Sequence, residues 1–186
     1  MSKPVVNFCP RCGSPTEKKV PEGDNLTRDV CLSCRTIHYQ NPKVIVGCIP
    51  VWEDKILMCR RAIEPRKGLW TFPCGFMEND ESVEEGALRE TREEANAEAE
   101  ILHLHSVYSV PHIGQVYVVF LARLLNLDFH PGPESLETVL QGKNEILWDE
   151  IAFSSVLFSL RKYFDDTDRN QGPVYLGNYV KKARLT

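Results

Sequence analysis

Residues 43–52 (KVIVGCIPVW) form a near-continuous apolar run, and residues 55–59 form a second one after the polar step Glu53-Asp54. Two strands joined by a tight turn are predicted there. Residues 100–110 and 115–123 predict an antiparallel pair connected through Pro111-His112-Ile113-Gly114, and a loop containing Pro131-Gly132-Pro133 leads to a short strand at 136–140. The period becomes helical twice. Near 151–164, Ile151, Val156, Leu157, Leu160 and Tyr163 share one side. Ser82 followed three residues later by Glu85 is a capping box, so a helix is predicted from there through Ala87, Leu88, Thr91 and Ala95 to a stop near Asn96. Mixed strands with a helix on each side make an α/β fold, an α/β/α sandwich. The tail, 173–180, is expected to pair locally or to pack on the amino-terminal module.

The helix after Ser82 carries the densest chemistry. Gly75, Glu81, Arg89, Glu90, Glu93 and Glu94 follow the spacing G-x5-E-x7-R-E-x-x-E-E. At roughly 100° per residue, Glu90, Glu93 and Glu94 share an arc of about 100°, while Leu88, Thr91 and Ala95 can face a core. Glu90 and Glu94 repel at i,i+4 by roughly 0.3 kcal/mol, and a bound cation reverses that sign. Hard oxygen donors suit Mg²⁺ or Mn²⁺, which take their remaining ligands from water and substrate phosphates. Arg89, four residues from both Glu85 and Glu93, is placed to orient the carboxylates. The plain alternative is a solvated helix laced with ion pairs.

Cys9-x2-Cys12 and Cys31-x2-Cys34, eighteen residues apart, have the knuckle spacing of a four-cysteine zinc ribbon, with residues 1–40 as a first domain and 41–186 as the second. Two disulfides or a redox pair are the alternatives. No leader pattern precedes the cysteines and the composition is that of a cytoplasmic protein, which disfavours disulfides. A thioredoxin-type site would have one CxxC after a strand. Four thiolates close the zinc shell, so a structural role is expected. Lys18, Lys19 and Arg28 are interspersed with Glu17, Glu22, Asp24 and Asp29, which does not favour nucleic acid. Cys48, Cys59 and Cys74 lie in or beside apolar runs and read as buried thiols, with Cys74 a candidate for oxidation.

At 186 residues and 42% hydrophobic content the chain can bury one full core beside a small metal-stapled module. Its net charge of −4 does not suit a general binder of nucleic acid or membrane surface. No apolar run approaches the roughly 20 residues needed to span a bilayer.

The charged spacing resembles the box of the Nudix hydrolases, G-x5-E-x7-R-E-U-x-E-E-x-G-U, where U is a bulky aliphatic. The chain departs at Thr91 and Ala97, in place of aliphatics, and at Asn96, in place of the second glycine. The lead-in from Gly68 to Gly75 (GLWTFPCG) is also similar, with Cys74 where a glycine is usual. The resemblance implies an α/β/α sandwich with a mixed sheet. It implies Mg²⁺ or Mn²⁺ held by Glu90, Glu93 and Glu94, with Glu81 and Gly75 in the site, and catalysis by Glu93 and Arg89. It also implies a general base outside the box, best matched by Glu137, with Glu134 and Glu145 in reserve, and it suggests a homodimer.

Arg60 and Arg61 can reach phosphates, or they simply serve solubility. Tyr39, Trp70, Phe76 and Tyr117 can stack an adenine or flavin ring, although most aromatics are core and one or two of the four are expected at ligand. The implied reaction is hydrolysis of the pyrophosphate bond of a nucleoside diphosphate linked to another moiety. A ribbon ahead of such a domain occurs in NADH pyrophosphatases and in a shorter group resembling FAD and ADP-ribose pyrophosphatases. The SQPWPFPxS motif of the first group is missing from residues 105–114. HYQNPK (38–43) and GPESLE (132–137) look closer to the second, so FAD and ADP-ribose are the favoured substrates. The alternatives are an NADH pyrophosphatase, a non-hydrolysing ADP-ribose sensor and an RNA cap hydrolase.

Overall fold

The computed structural model describes residues 6–166 and 172–180. The chain divides into two compact units, Met1–Pro42 and Lys43–Thr186. In the first, β1 (Thr16–Lys19), β2 (Arg28–Cys31) and β3 (Ile37–His38) form an antiparallel sheet in that order. The unit has little apolar core: Val30 and the cysteines Cys9 and Cys31 are buried, while Phe8, Val20, Leu26 and Leu32 are exposed. Such a small sheet needs a staple other than hydrophobic burial.

The second unit is built on β4 (Lys43–Trp52), β5 (Lys55–Arg61), β6 (Trp70–Thr71), β7 (Cys74–Phe76), β8 (Ala99–Val110), β9 (Gln115–Leu124), β10 (Ser135–Gln141) and β11 (Tyr175–Asn178). The strand order is β10-β5-β4-β9-β8-β11. β4 and β9 run parallel in unbroken register from Lys43 opposite Gln115 to Val51 opposite Arg123, and the β8–β9 pair is antiparallel. The sheet is therefore mixed.

β4 and β5 are paired only beside their turn, at Val51–Ile56 and Trp52–Lys55. Beyond it β4 pairs with β7 and β5 pairs with β6. This splay carries Cys74, Gly75 and Phe76 toward α1 (Val83–Ala95). The two short strands were not legible in the apolar pattern, because their pairing is set by partners ten or more residues away.

Alternation sorts the core into two layers. Ile45, Ile49, Ile56, Met58, Tyr117, Val119 and Leu121 pack with Val156, Leu160 and Tyr163 of α2 (Ser154–Asp165). Val46, Cys48, Leu57, Cys59, Phe120, Ala122 and Leu124 pack with Ala87 and Ala95 of α1. α2 begins three residues later than expected. Ile151 forms a bridge with Trp70 and Ala152 donates to the Trp70 carbonyl at 2.8 Å, which holds that stretch extended.

Among the described residues the tail pairs not with its own neighbours but with a distant strand. β11 runs parallel to β8, from Tyr175 opposite Ser106 to Asn178 opposite Ser109, and ends the main sheet. No helix among the described residues is long and apolar enough to cross a membrane.

Candidate active site

Helix α1 starts at the capping box read from the sequence. Ser82 Oγ accepts from the Glu85 amide at 3.2 Å, and Glu85 accepts from the Ser82 amide at 2.8 Å. It ends at Asn96, which is left-handed at φ 48° and donates its amide to the Arg92 carbonyl. The Thr91 hydroxyl, fully buried where an aliphatic is usual, is satisfied by the Ala87 carbonyl at 2.8 Å.

Arg89 is the hub of the carboxylates. Its guanidinium donates to Glu81 at 2.8 and 3.0 Å, to Glu90 at 2.8 Å, to Glu93 at 3.0 Å and to the Phe76 carbonyl at 3.1 Å. Five hydrogen bonds from one planar fork use the full donor capacity of an arginine, which a lysine could not reproduce. Arg89 holds Glu81 down at about 2. Glu90 is pushed up, because burial outweighs the attraction of the same arginine. Gly75 faces Glu90 so closely that a methyl group there would collide with the carboxylate.

Glu94 lies deeper, 5% exposed, and accepts from the Cys74 amide at 3.1 Å. Burial pushes it up to about 8, and the nearby Glu90 charge adds to that. A carboxylate so costly to ionise beside a second one marks a functional site more often than a structural one. Glu93 is exposed apart from its contact with Arg89. Two desolvated carboxylates and a cradle left open by Gly75 fit a hard divalent cation.

A family model described as NUDIX domain matches residues 41–158, and one described as Nudix N-terminal, a zinc ribbon, matches residues 7–40. The chain belongs to the Nudix family. A crystal structure of a Nudix hydrolase from Nitrosomonas europaea is 54% identical with a TM-score of 0.90, covering 95% of this chain and 100% of that one. An ADP-ribose pyrophosphatase of Methanocaldococcus jannaschii is 32% identical over 105 residues, 53% of this chain and 61% of its own length. An NAD-capped RNA hydrolase, NudC, of Vibrio vulnificus is 27% identical over 130 residues, 69% of this chain and 45% of its own. The chain thus spans about half the length of these two curated relatives.

Outside the box, the Nudix domain separates the candidates by sheet face. Arg60 alternates with Cys59, which faces α1, so Arg60 and its cross-strand neighbour Glu137 lie on the other face, 3.9 Å apart. The unbroken register from Gln141 opposite Ile56 to Glu137 opposite Arg60 fixes this parity, and the pairing shifts only ahead of it, between Ser135 and Glu137. Glu134, ahead of the shift, lies within electrostatic reach of both Glu90 and Glu94. Glu137 belongs to the β10 ladder, whereas Glu134 lies in the loop ahead of it with its carbonyl on the Ala62 amide, a boundary set by pairing with β5 that no sequence signal marks. Glu145 is committed to Lys55, at 3.1 Å.

Arg61 is buried, donates to the Pro65 carbonyl at 2.9 Å and lies over the Phe153 ring, and its charge reaches Glu94 and Cys74. Trp70 and Tyr117, 6% and 7% exposed, are built into the core under α2. Phe76 is half exposed beside the box with the Lys43 ammonium over its ring, and Tyr39 sits in the first unit beneath Arg28. Cys74 does not have the environment of an oxidisable thiol. It is buried, and burial pushes it up to about 12, so the reactive thiolate is suppressed.

In the ribbon, Cys9, Cys12, Cys31 and Cys34 gather their sulfurs within 4.8 Å of one another, with no disulfide. The first knuckle is closed by Gly13 donating to Cys9 and by Cys9 donating to Ser14, both at 2.8 Å. Four converging thiols fit zinc in a closed tetrahedral shell.

Proposed function

We propose that this chain is a divalent-cation-dependent pyrophosphatase acting on a nucleoside diphosphate linked to a second moiety, ADP-ribose or FAD first, and releasing AMP. The observation that carries this reading is the gathering of Glu81, Glu90 and Glu93 on Arg89, with Glu90 and the deeper Glu94 both desolvated. A module that only binds has no use for two carboxylates both raised by burial. Similarity to an ADP-ribose pyrophosphatase supports the substrate class.

Glu90, Glu93 and Glu94, helped by Glu81, would hold Mg²⁺ or Mn²⁺. When bound, the cation supplies charge neutralisation to the diphosphate oxygens. Arg89 keeps Glu81, Glu90 and Glu93 aimed at a common point. Glu134 accepts the proton of the attacking water as its oxygen bonds to phosphorus, and the bridging P–O bond breaks in line. Arg61 adds positive charge near Glu94. Phe76 is the exposed ring best placed to stack a base. Zinc in the four-cysteine ribbon has a structural role.

The test is a panel of ADP-ribose, FAD, NADH, diadenosine polyphosphates and NAD-capped RNA with Mg²⁺ or Mn²⁺, with the products identified. AMP from ADP-ribose or FAD is the expected result. Tight ADP-ribose binding with no turnover of any member would leave a sensor instead. Preferred cleavage of NAD-capped RNA would move the assignment toward the Vibrio relative.

A further inference from the structure

Asn96 stands where the family box has its second glycine, and the left-handed backbone explains why asparagine is tolerated there. It does not explain what the side chain does. Asn96 Nδ2 donates to the His130 carbonyl and to His130 Nδ1, both at 3.1 Å. The same loop is stitched to the last turn of α1 by two backbone bonds, from the His130 amide to the Ala95 carbonyl and from the Gly132 amide to the Glu94 carbonyl, each at 3.0 Å. Gly132 meets the Glu93 carbonyl so closely that any side chain would push the loop away.

Two residues beyond Gly132 comes Glu134, whose carbonyl accepts from Ala62 at 2.8 Å. Its carboxylate makes no ion pair or hydrogen bond among the described residues, although its charge is felt by Glu90 and Glu94. The carboxylate is therefore placed by its backbone alone. That backbone is held at one side by β5 and at the other by the end of α1.

We propose that Asn96 is a positioning residue: with His130 and Gly132 it latches the 129–134 loop to the carboxy-terminal end of α1 and so sets Glu134 over the box carboxylates. The departure from the box glycine gains a function, because glycine can supply the left-handed turn but not the two donor bonds. The proposal rests on the pyrophosphatase reading for its kinetic consequence, and the latch itself is measurable without turnover.

The variant is Asn96→Gly, which keeps the left-handed turn without strain and so leaves the helix end intact. The first readout is amide hydrogen exchange without substrate. His130 and Gly132 should exchange about fivefold faster in the variant, the scale of one lost hydrogen bond, while amides inside α1 keep their rates. Unchanged exchange in the loop overturns the latch whatever the enzyme does.

The second readout is kinetic. Asn96→Gly should lower kcat about fivefold at nearly constant KM, and in a Glu134→Gln background it should lower kcat no further. Equal fractional losses in the two backgrounds, or a wild-type kcat in the single variant, refute the positioning role. If the wild type turns over no dinucleotide, the pyrophosphatase reading fails, while the exchange result still decides the latch.

Discussion

Glu94→Gln in protein free of Mg²⁺ and Mn²⁺ should stabilise the Nudix domain at alkaline pH, although it removes a buried hydrogen-bonding carboxylate. Burial raises Glu94 from an ordinary 4.5 to about 8. An acid raised on folding contributes stability in full below its unfolded value and loses it as pH climbs through the folded value. Integrated from about pH 5 to about pH 8, the wild type gives up roughly 3 kcal/mol at this one group. Glu90, also raised, acts in the same direction. Glu81, held at about 2, is ionised in folded and unfolded chains across this window and adds no slope. Buried His105, lowered by burial, pulls the other way, toward lower stability in acid.

The difference between wild type and variant cancels His105, so the quantity to follow is ΔΔG against pH. Glutamine can still accept from the Cys74 amide through its carbonyl oxygen and has no charge to desolvate. The variant should match the wild type within about 1 kcal/mol near pH 5 and exceed it by roughly 3 kcal/mol near pH 8. Urea unfolding followed by tryptophan fluorescence suits this measurement, since Trp52, Trp70 and Trp148 all lie in the Nudix domain. Zinc is left in place and no chelator is used. Saturating Mg²⁺ should then close most of the gap near pH 8, stabilising the wild type by about 2.7 kcal/mol at a hundred times its Kd and leaving the variant unchanged. Parallel pH curves for the two proteins would refute the burial account of Glu94. Equal stabilisation of both by Mg²⁺ would refute its place among the cation's ligands.

Arg89→Met should lower stability by roughly 2 kcal/mol, because Glu81 and Glu90 lose a shared and partly buried partner. Arg89→Lys should recover little of it, and thermal melts of the three proteins decide. Gly75→Ala should weaken Mn²⁺ binding about tenfold with little change in Tm, since the added methyl displaces the Glu90 carboxylate rather than the backbone; titration calorimetry with Mn²⁺ reads this, and unchanged affinity sinks it. Cys31→Ser should abolish the stoichiometric zinc found by metal analysis and lose the ribbon's amide protection, while the Nudix domain keeps its own melting transition. Glu137→Gln should retain turnover within about threefold where Glu134→Gln loses about a hundredfold or more, and the reverse order would return the base to Glu137.

What the linear pattern determined by itself was everything governed by short-range geometry. The capping box at Ser82 and the left-handed stop at Asn96 depend on contacts within one helical turn, and both are present as read. The paired CxxC knuckles and the grouping of Glu90, Glu93 and Glu94 on one arc follow from spacing alone. The two-layer core follows from alternation along β4, β5 and β9. Tertiary structure decided where long-range pairing competes with local preference. Trp70 holds Ile151 extended and so delays α2. β8 recruits the tail as β11, because an edge strand offers unpaired amides and carbonyls to any segment that reaches it. Pairing with β5 sets Glu137 opposite Arg60 on the face away from α1 and leaves Glu134 in the loop ahead of the strand, within electrostatic reach of Glu90 and Glu94. The charges of Glu90 and Glu94 were legible as letters, but their desolvation, and so their chemistry, exists only once the sheet closes over them.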